Sequence, residues 1–402
     1  MRHGVGSVCI VAPPAPFLLD PYVFPPLGAL AVATSIRDSG YDVIVHDGSV
    51  EDIPTGYDYY GISITTPQFP DALSALGKIW SMQNKSRVFA GGPHVTIDPD
   101  SCLKAGFDGV IMGDGEAGLD LAIAYDCTRI EVPAKSFPTP DRSFIDIEKY
   151  KYLIDGREAT SLVTSRGCPY NCAFCCKSTA TNKFKMNSSD VVVDEIKYLK
   201  DVYGYTAFMF FDDLFVMNKK RLLNICERIA PWDLKWRCFV RGDVIVRNGL
   251  ETVLRMKEAG CREVGIGVES GSEEILRSIN KGETHEDIKR AIRMLRGADI
   301  RVKAFFIVGL PGESPETIEQ TRKFLEDCPT DDVDMTIYQP YKGSYIYENK
   351  QQFDIGWDSN NLSASWYKGH PGEYHSNVWT SRMTPDDIEQ AQATLEREFK
   401  SW

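Results

Sequence analysis

No apolar run in the 402-residue sequence reaches the roughly 18 residues that a membrane helix needs, so no spanning segment is expected. Basic charge is in deficit, 45 Lys and Arg against 57 Asp and Glu, for a formal charge of −12. Such a surface does not favour a phosphate backbone, and a nucleic-acid partner is not expected. Internal repeats and low-complexity tracts are missing, which excludes a solenoid or a fibrous chain. Cleavage signals are missing too: Pro13, Pro14 and Pro16 break the early apolar run, and no small-residue site follows. The run Val8-Cys9-Ile10-Val11 then reads as a buried first strand, and the eleven cysteines as reduced thiols of a cytoplasmic protein.

What is present is ordinary globular composition, 43 % hydrophobic and 25 % charged, in a chain long enough for two or three domains. Strand and helix signals alternate along the first part. Strands are expected over 7–12, 42–46, 59–64, 87–90 and 109–112, and helices over 26–39, 70–82 and 99–105, with a last helix opening at 113–116. Alternation of this kind implies a doubly wound parallel sheet of Rossmann type, with ligands beyond the carboxyl ends of its strands. A Pro-marked stretch follows, and then a second series with strands expected over 161–165, 207–211, 236–240, 264–268, 302–308 and 334–338. Six βα units suggest a partial (β/α)6 barrel of the TIM type. The tail is rich in Trp, Tyr, Asn and Gly and ends in an amphipathic helix over 384–399, a short α+β segment. The expected divisions are 1–131, a linker over 132–155, a barrel over 156–340 and a closing segment over 341–402.

Spacing makes the cysteines informative. Cys168, Cys172 and Cys175 form C-x3-C-x2-C directly after the first strand of the second series. Three thiolates can hold three irons of a four-iron cluster and leave the fourth open to a small chelating molecule. Zinc wants four closed ligands, and Cys176, adjacent to Cys175, is a poor fourth. Cys226, Cys238, Cys261 and Cys328 fall inside elements and read as core.

With these cysteines, three further runs resemble the radical S-adenosylmethionine enzymes: Phe211-Asp212-Asp213, Gly265-Ile266-Gly267-Val268-Glu269-Ser270-Gly271-Ser272, and Val308-Gly309-Leu310-Pro311-Gly312-Glu313. The resemblance implies a 4Fe-4S cluster on Cys168, Cys172 and Cys175, with S-adenosylmethionine chelating the open iron. It implies that Glu269 and Ser270 meet methionine or ribose polar groups, that Arg241 pairs with the carboxylate, and that Phe174 and the Gly309 turn bring backbone to the adenine. Two plainer readings stand beside it: Asp212 and Asp213 as a helix-capping pair, and Arg241 in a surface ion pair.

The first domain carries its own resemblance. Pro25-Pro26-Leu27-Gly28, Gly61-Ile62-Ser63, Gly91-Gly92-Pro93-His94 and Gly113-Asp114-Gly115-Glu116 are similar to the cobalamin-binding domain that precedes many radical S-adenosylmethionine domains. The family often has Arg-Gly-Glu-Gly-Glu where this chain has Met112 to Glu116. The Asp-x-His-x-x-Gly loop that gives cobalt a histidine elsewhere is absent, as is typical of this subgroup. The resemblance implies a nucleotide tail in the strand-end crevice, close to Gly91, Gly92 and Gly115. It implies hydroxyls offered by Ser63, Thr65 and Thr66, and the loop Thr66-Pro67-Gln68-Phe69 beneath the corrin. His94 stands in two roles, holding the tail or serving as an axial cobalt ligand. A vestigial domain without cobalamin is the plain alternative.

Taken together, the resemblance implies a cobalamin-dependent radical C-methyltransferase of class B. A 5′-deoxyadenosyl radical opens an unactivated carbon and methylcobalamin delivers the methyl group, with an electron donor such as ferredoxin or flavodoxin. Three alternatives share much of the motif set: a cyclase or rearrangement enzyme without methyl transfer, a methylthiotransferase, and a non-enzymatic cobalamin carrier. The compact size resembles members that methylate a protein residue, such as the glutamine C-methyltransferase of methyl-coenzyme M reductase; small-molecule substrates stand beside that. Tyr338, Tyr341, Tyr345, Trp366 and Trp379 are the aromatic candidates for a substrate cleft, with core packing as the plainer role.

Overall fold

A computed structural model describes residues 6–16, 18, 20–82, 85–132, 137–176, 184–358 and 374–400. The chain divides into two compact units, 1–152 and 153–402. The stretch 132–155, expected as a linker, is therefore shared: its described residues up to Tyr152 go with the first unit.

The first unit holds β1 (Ser7–Val11), β2 (Asp42–His46), β3 (Tyr59–Ser63), β4 (Arg87–Gly91), β5 (Gly109–Gly113) and β6 (Arg129–Val132). All pair in parallel, in the order β2-β1-β3-β4-β5-β6. Central strands of such a sheet are buried on both faces, which is why β1 and β4 read as short apolar runs. Helices cover both faces. Ala29, Leu30, Ala33 and Ile36 of the Leu27–Asp38 helix pack with Leu119 and Ala122 on one face. Ala72, Ala75, Leu76 and Ile79 of the Phe69–Ser81 helix pack with Val95 and Cys102 on the other. The chain reverses its direction across the sheet between β1 and β3, so the switch-point crevice opens where their carboxyl ends part.

The second unit holds β7 (Leu153–Ile154), β8 (Arg157–Leu162), a small hairpin of β9 (Ser165–Arg166) and β10 (Lys185–Met186), then β11 (Ala207–Phe210), β12 (Lys235–Val240), β13 (Cys261–Glu269), β14 (Arg301–Val308) and β15 (Asp332–Ile337). The main sheet runs β15-β14-β13-β12-β11-β8-β7, with only β7 antiparallel. Among the described residues, six parallel strands without closure give the expected partial barrel. Alternation sets its faces: Trp236, Cys238 and Val240 of β12 are buried, while Lys235, Arg237 and Phe239 are half-exposed on the other side.

Along the inner face, Arg237 of β12 pairs with Glu263 of β13 at 3.0 Å, and Lys303 of β14 pairs with Asp332 of β15 at 2.9 Å. Further along the strands stand Phe239 and Phe305, 5.9 Å apart. A Cβ on Gly265 would sit 2.6 Å from Phe305 and 2.8 Å from Phe239, so only glycine lets the rings lie there. The tail adds β16 (Gly356–Trp357) paired with β17 (Val378–Trp379), then the Pro385–Phe399 helix, capped by Thr384 with Asp387. That helix is tied to β15 by Gln392, whose Nε2 donates to the Met335 carbonyl at 3.0 Å. Tyr338 is buried, Tyr341 half-buried, and Tyr345 and Trp379 exposed; Trp366 lies outside the described residues. No helix among the described residues is long and apolar enough to cross a membrane.

Candidate functional site

The three cysteines stand on the loop that leaves the first barrel strands, bracketed by the pairing of β9 with β10. The loop is held through its backbone. Ala173 N–H donates to the Ile279 carbonyl at 2.7 Å, Ile346 N–H donates to the Ala173 carbonyl at 3.0 Å, and Asn280 Nδ2 donates to the Asn171 carbonyl at 2.9 Å. Cys168, Cys172 and Cys175 are half-buried thiols. Phe174, between two of them, is half-buried as well. Among the described residues no three His, Cys, Asp or Glu side chains gather closely enough for a single ion. Three thiols on one short loop are the donor set of a four-iron cluster with one open iron, and fall one ligand short of a closed zinc site.

Charge is concentrated around Cys172. Arg241 follows β12; its Nη1 lies 3.5 Å from Cys172 Sγ, its Nε 3.0 Å from Asp243 and its Nη2 3.2 Å from Glu283. Its guanidinium stacks 3.7 Å over the Tyr170 ring, whose hydroxyl donates to Asp243 at 2.8 Å. Lys281 Nζ lies 2.8 Å from Glu269 and 3.3 Å from Glu283. Burial pulls the Lys281 ammonium down, yet Glu269 and Glu283 carry it above the ordinary lysine value. Burial pushes the Cys172 thiol up, while the Lys281 and Arg241 charges pull the other way. Cys168 is also pushed up by burial, and the Asp213 carboxylate adds to that.

The structure gives several of the expected residues protein partners. Arg241 is 5 % exposed and held by carboxylates, so its ion pairs are buried and not superficial. Asp212 caps no helix: it accepts from Thr164 N–H, Thr164 Oγ1 and Ser165 Oγ, each at 2.6 Å, and staples β8's exit to β11. Arg221 completes that staple, donating to Thr164 Oγ1 at 2.6 Å. Glu269 ends β13 at a register shift with φ 68, a left-handed conformation that turns its carboxylate back toward Lys281. Ser270 is fully buried, its hydroxyl accepting from Ser272 N–H at 3.2 Å. Gly309 has φ 88, and its N–H donates to Glu313 at 2.5 Å. A Cβ there would meet Ile388 and Val378 of the tail at 3.1 and 3.2 Å, so the turn faces protein on that side.

In the first unit the expected residues gather at the switch point. Gln68 Nε2 donates to the Pro13 carbonyl beyond β1 at 2.6 Å, and its Oε1 accepts from Thr65 Oγ1 at 2.7 Å beyond β3. The Gln68 amide thus ties the crevice's two lips together. His94 is 7 % exposed; its Nδ1 lies 3.3 Å from Thr66 Oγ1, its Nε2 3.1 Å from Ser101 Oγ, and its ring stacks on Phe69. Both ring nitrogens are engaged with protein, which opposes an axial role. Gly92 (φ 103) and Gly113 (φ 81) need glycine for packing, since a Cβ would sit 2.8 Å from the Ile64 carbonyl and 2.7 Å from the Val132 carbonyl respectively. A Cβ on Gly115 would lie 3.0 Å from a Val32 methyl group, a side-chain and not a backbone contact, and Glu116 is buried with its carbonyl accepting from Ser35 Oγ. Gly91, paired with half-buried Ser63, is different: nothing comes closer than 3.8 Å to its Cβ position.

Sequence reading missed Lys281, Glu283 and the Tyr170 stack. Lys281-Gly282-Glu283 lies in the short connection between the Glu273–Ser278 and His285–Gly297 helices, where two charges around a glycine carry no signal distinct from a solvated loop.

Comparison with known proteins agrees with both units. Residues 162–325 match the Radical SAM superfamily and residues 20–123 match the B12 binding domain. An uncharacterized methyltransferase of Pyrococcus horikoshii is 30 % identical over 387 residues, covering 86 % of this chain and 83 % of the relative. The anaerobic magnesium-protoporphyrin IX monomethyl ester cyclase of Rubrivivax gelatinosus is 27 % identical, over 81 % of this chain and 66 % of the relative. Among solved structures, the radical S-adenosylmethionine methyltransferase TsrM of Kitasatospora setae, with cobalamin and a 4Fe-4S cluster bound, shares the fold with a TM-score of 0.70. Its identity is 17 %, over 89 % of this chain and 81 % of that one. The chain belongs to the radical SAM enzymes that carry a B12 binding domain ahead of the radical SAM module.

Proposed function

We propose that the chain is a cobalamin-dependent radical SAM C-methyltransferase acting on an unactivated carbon. The observation that carries it is the thiol loop of Cys168, Cys172 and Cys175 at the tips of a partial barrel, in a chain that also matches the B12 binding domain. When bound, cluster, S-adenosylmethionine and cobalamin supply one-electron cleavage of a sulfonium and a transferable methyl group. The chain's own residues do the holding. The backbone anchors of Ala173 and Asn171 fix the loop, and the Asp212 staple fixes the strand tips. Glu269 presents a carboxylate to a bound ammonium, in exchange for Lys281. Ser63, Thr65 and Thr66 offer hydroxyls at the switch point, and Gly91 leaves room for a ligand's backbone contact.

Anaerobic reconstitution of the full chain, with iron and corrin quantified, tests the proposal. Product assays then use magnesium-protoporphyrin monomethyl ester, small aromatic metabolites and glutamine-containing peptides, with dithionite or reduced flavodoxin as donor. The expected result is iron and one corrin per chain, 5′-deoxyadenosine formation, and a mass gain of one methyl group. Zinc in place of iron, or a chain that holds no corrin, overturns it. A second reading, ring formation without methyl transfer, is favoured by the likeness to the cyclase. A product with unchanged carbon count selects it. A reducing, cytoplasmic setting is part of the proposal, on the ligand-type spacing of Cys168, Cys172 and Cys175.

A further inference from the structure

The three thiols do not stand in equivalent surroundings. Cys168 is accompanied by the Tyr170 backbone N–H and the Asp213 carboxylate. Cys172 faces the buried Arg241 guanidinium at 3.5 Å, and behind it stands the buried Lys281 ammonium, paired with Glu269, whose carboxylate acts on the same sulfur in the opposite sense. Both cations are almost fully covered, with side chains 6 % and 4 % exposed. Burying ions is costly, and for packing alone apolar side chains of similar volume would serve as well or better. The pair is also oriented: Tyr170 fixes the guanidinium plane from one side, and Arg241 Nη2 donates to the Lys281 carbonyl at 2.7 Å. Glu283, with its side chain fully covered, lies 3.2 Å from Arg241 and 3.3 Å from Lys281, and so offsets both charges at once.

We propose that Arg241 and Lys281 are a positioning pair whose charge at the Cys172 sulfur biases the cluster toward its reduced form, with Glu283, which pairs with both, setting the size of the bias. The inference rests on the cluster reading above. The step concerned is uptake of one electron by the cluster from a low-potential one-electron donor; no bond forms or breaks. Positive charge and N–H donors near a cluster sulfur favour the added negative charge, and a covered site screens them little.

The test is a potentiometric titration of the anaerobically reconstituted full chain without S-adenosylmethionine. Dithionite and mediators set the potential, and the reduced cluster is followed by electron paramagnetic resonance. Arg241→Met and Lys281→Met are expected to shift the midpoint negative, with about a tenfold lower ratio of reduced to oxidised cluster at the wild-type midpoint (about 59 mV for one electron). Arg241→Lys regains part of the shift, and Glu283→Gln moves the midpoint the opposite way. A structural role alone does not produce opposite signs. If Arg241→Met or Lys281→Met fails to hold iron, Arg241→Lys and Glu283→Gln decide by the same reading. Midpoints that stay at the wild-type value in a chain that holds its cluster overturn this inference and leave the functional reading standing. A wild-type chain with no cluster signal overturns that reading itself.

Discussion

The strand-tip rims of the two units are made of opposite materials. In the second unit the rim is charged and covered: Asp212, Arg221, Arg241, Lys281, Glu283 and Glu269 meet one another or the backbone within a few residues of the thiols. In the first unit the contacts at the switch point run through hydroxyls, a side-chain amide, one imidazole and glycines, with Glu116 as a buried carboxylate at the head of the helix after β5. A charged rim holds its guest by donor chemistry, and its geometry must be over-determined because any ion left unpaired is costly. A rim with few ion pairs holds its guest by shape and backbone contact, so its information lies in which positions are left open. The contrast predicts that damage to one rim abolishes binding, whereas damage to the other is graded.

The largest effect belongs to the thiols. Cys168→Ala, Cys172→Ala and Cys175→Ala should each bring iron to background and abolish 5′-deoxyadenosine formation, while the visible absorption of cobalamin bound by the same chain is retained. Iron assay and chromatography check this. Loss of corrin along with iron would break the separation of the rims.

Next comes the turn after β14. Glu313 is buried, and burial pushes its carboxyl from 4.5 up to about 8, although it accepts from the Gly309 and Leu310 N–H groups. A raised folded value means that the native state keeps a proton the unfolded chain has released. Its contribution is therefore present at low pH and lost as pH rises through that window, at about 1.4 kcal/mol per pH unit. Glu313→Gln should remove that slope. Urea unfolding of wild type and variant from pH 5 to 8, read as a difference, checks it; parallel curves would show that Glu313 is ionised throughout.

Legibility in the sequence followed the same division. The strands of both sheets were readable from apolar runs, yet β13 and β15 start earlier than apolarity suggests. Their first residues, Cys261-Arg262-Glu263 and Asp332-Val333, include inward charges that Arg237 and Lys303 neutralise, and a sequence read without its partners takes those charges for loop. Edge strand β6 was missed because Arg129-Ile130-Glu131-Val132 is short and half-exposed, and nothing in it exceeds the signal of a loop. The thiol triad was legible because ligand spacing is local. Lys281 and Glu283 were not, because their meaning comes from Arg241, forty residues away in sequence. A packing role for glycine was not legible either: a Cβ on Gly92 or Gly113 would meet a backbone carbonyl from a strand or turn distant in sequence.

Gly113→Ala should therefore act on folding. It places a Cβ on the Val132 carbonyl at a positive φ, at a cost of about 1–3 kcal/mol. His94→Ala should cost about 1–2 kcal/mol through lost hydrogen bonds and the Phe69 stack. The cobalt spectrum of the bound corrin should not change. A new axial signature in the paramagnetic cobalt spectrum of wild type relative to His94→Ala would instead make His94 a ligand.

Gly91→Ala sharpens the contrast most while perturbing stability least. Its Cβ would meet only the Ile111 carbonyl oxygen at 3.8 Å and the Ile111 Cβ at 3.9 Å, ordinary contacts, and β4 accepts alanine without strain. Unfolding free energy should stay within about 0.5 kcal/mol of wild type. A methyl group in that open position, beside Ser63 at the carboxyl end of the sheet, would still occupy space available to a bound tail, and cobalamin affinity should fall about tenfold, or 1.4 kcal/mol. Equilibrium dialysis with hydroxocobalamin measures it. Unchanged affinity at unchanged stability would place the corrin tail elsewhere on the rim, because an open glycine that tolerates a methyl group in both states faces solvent in both.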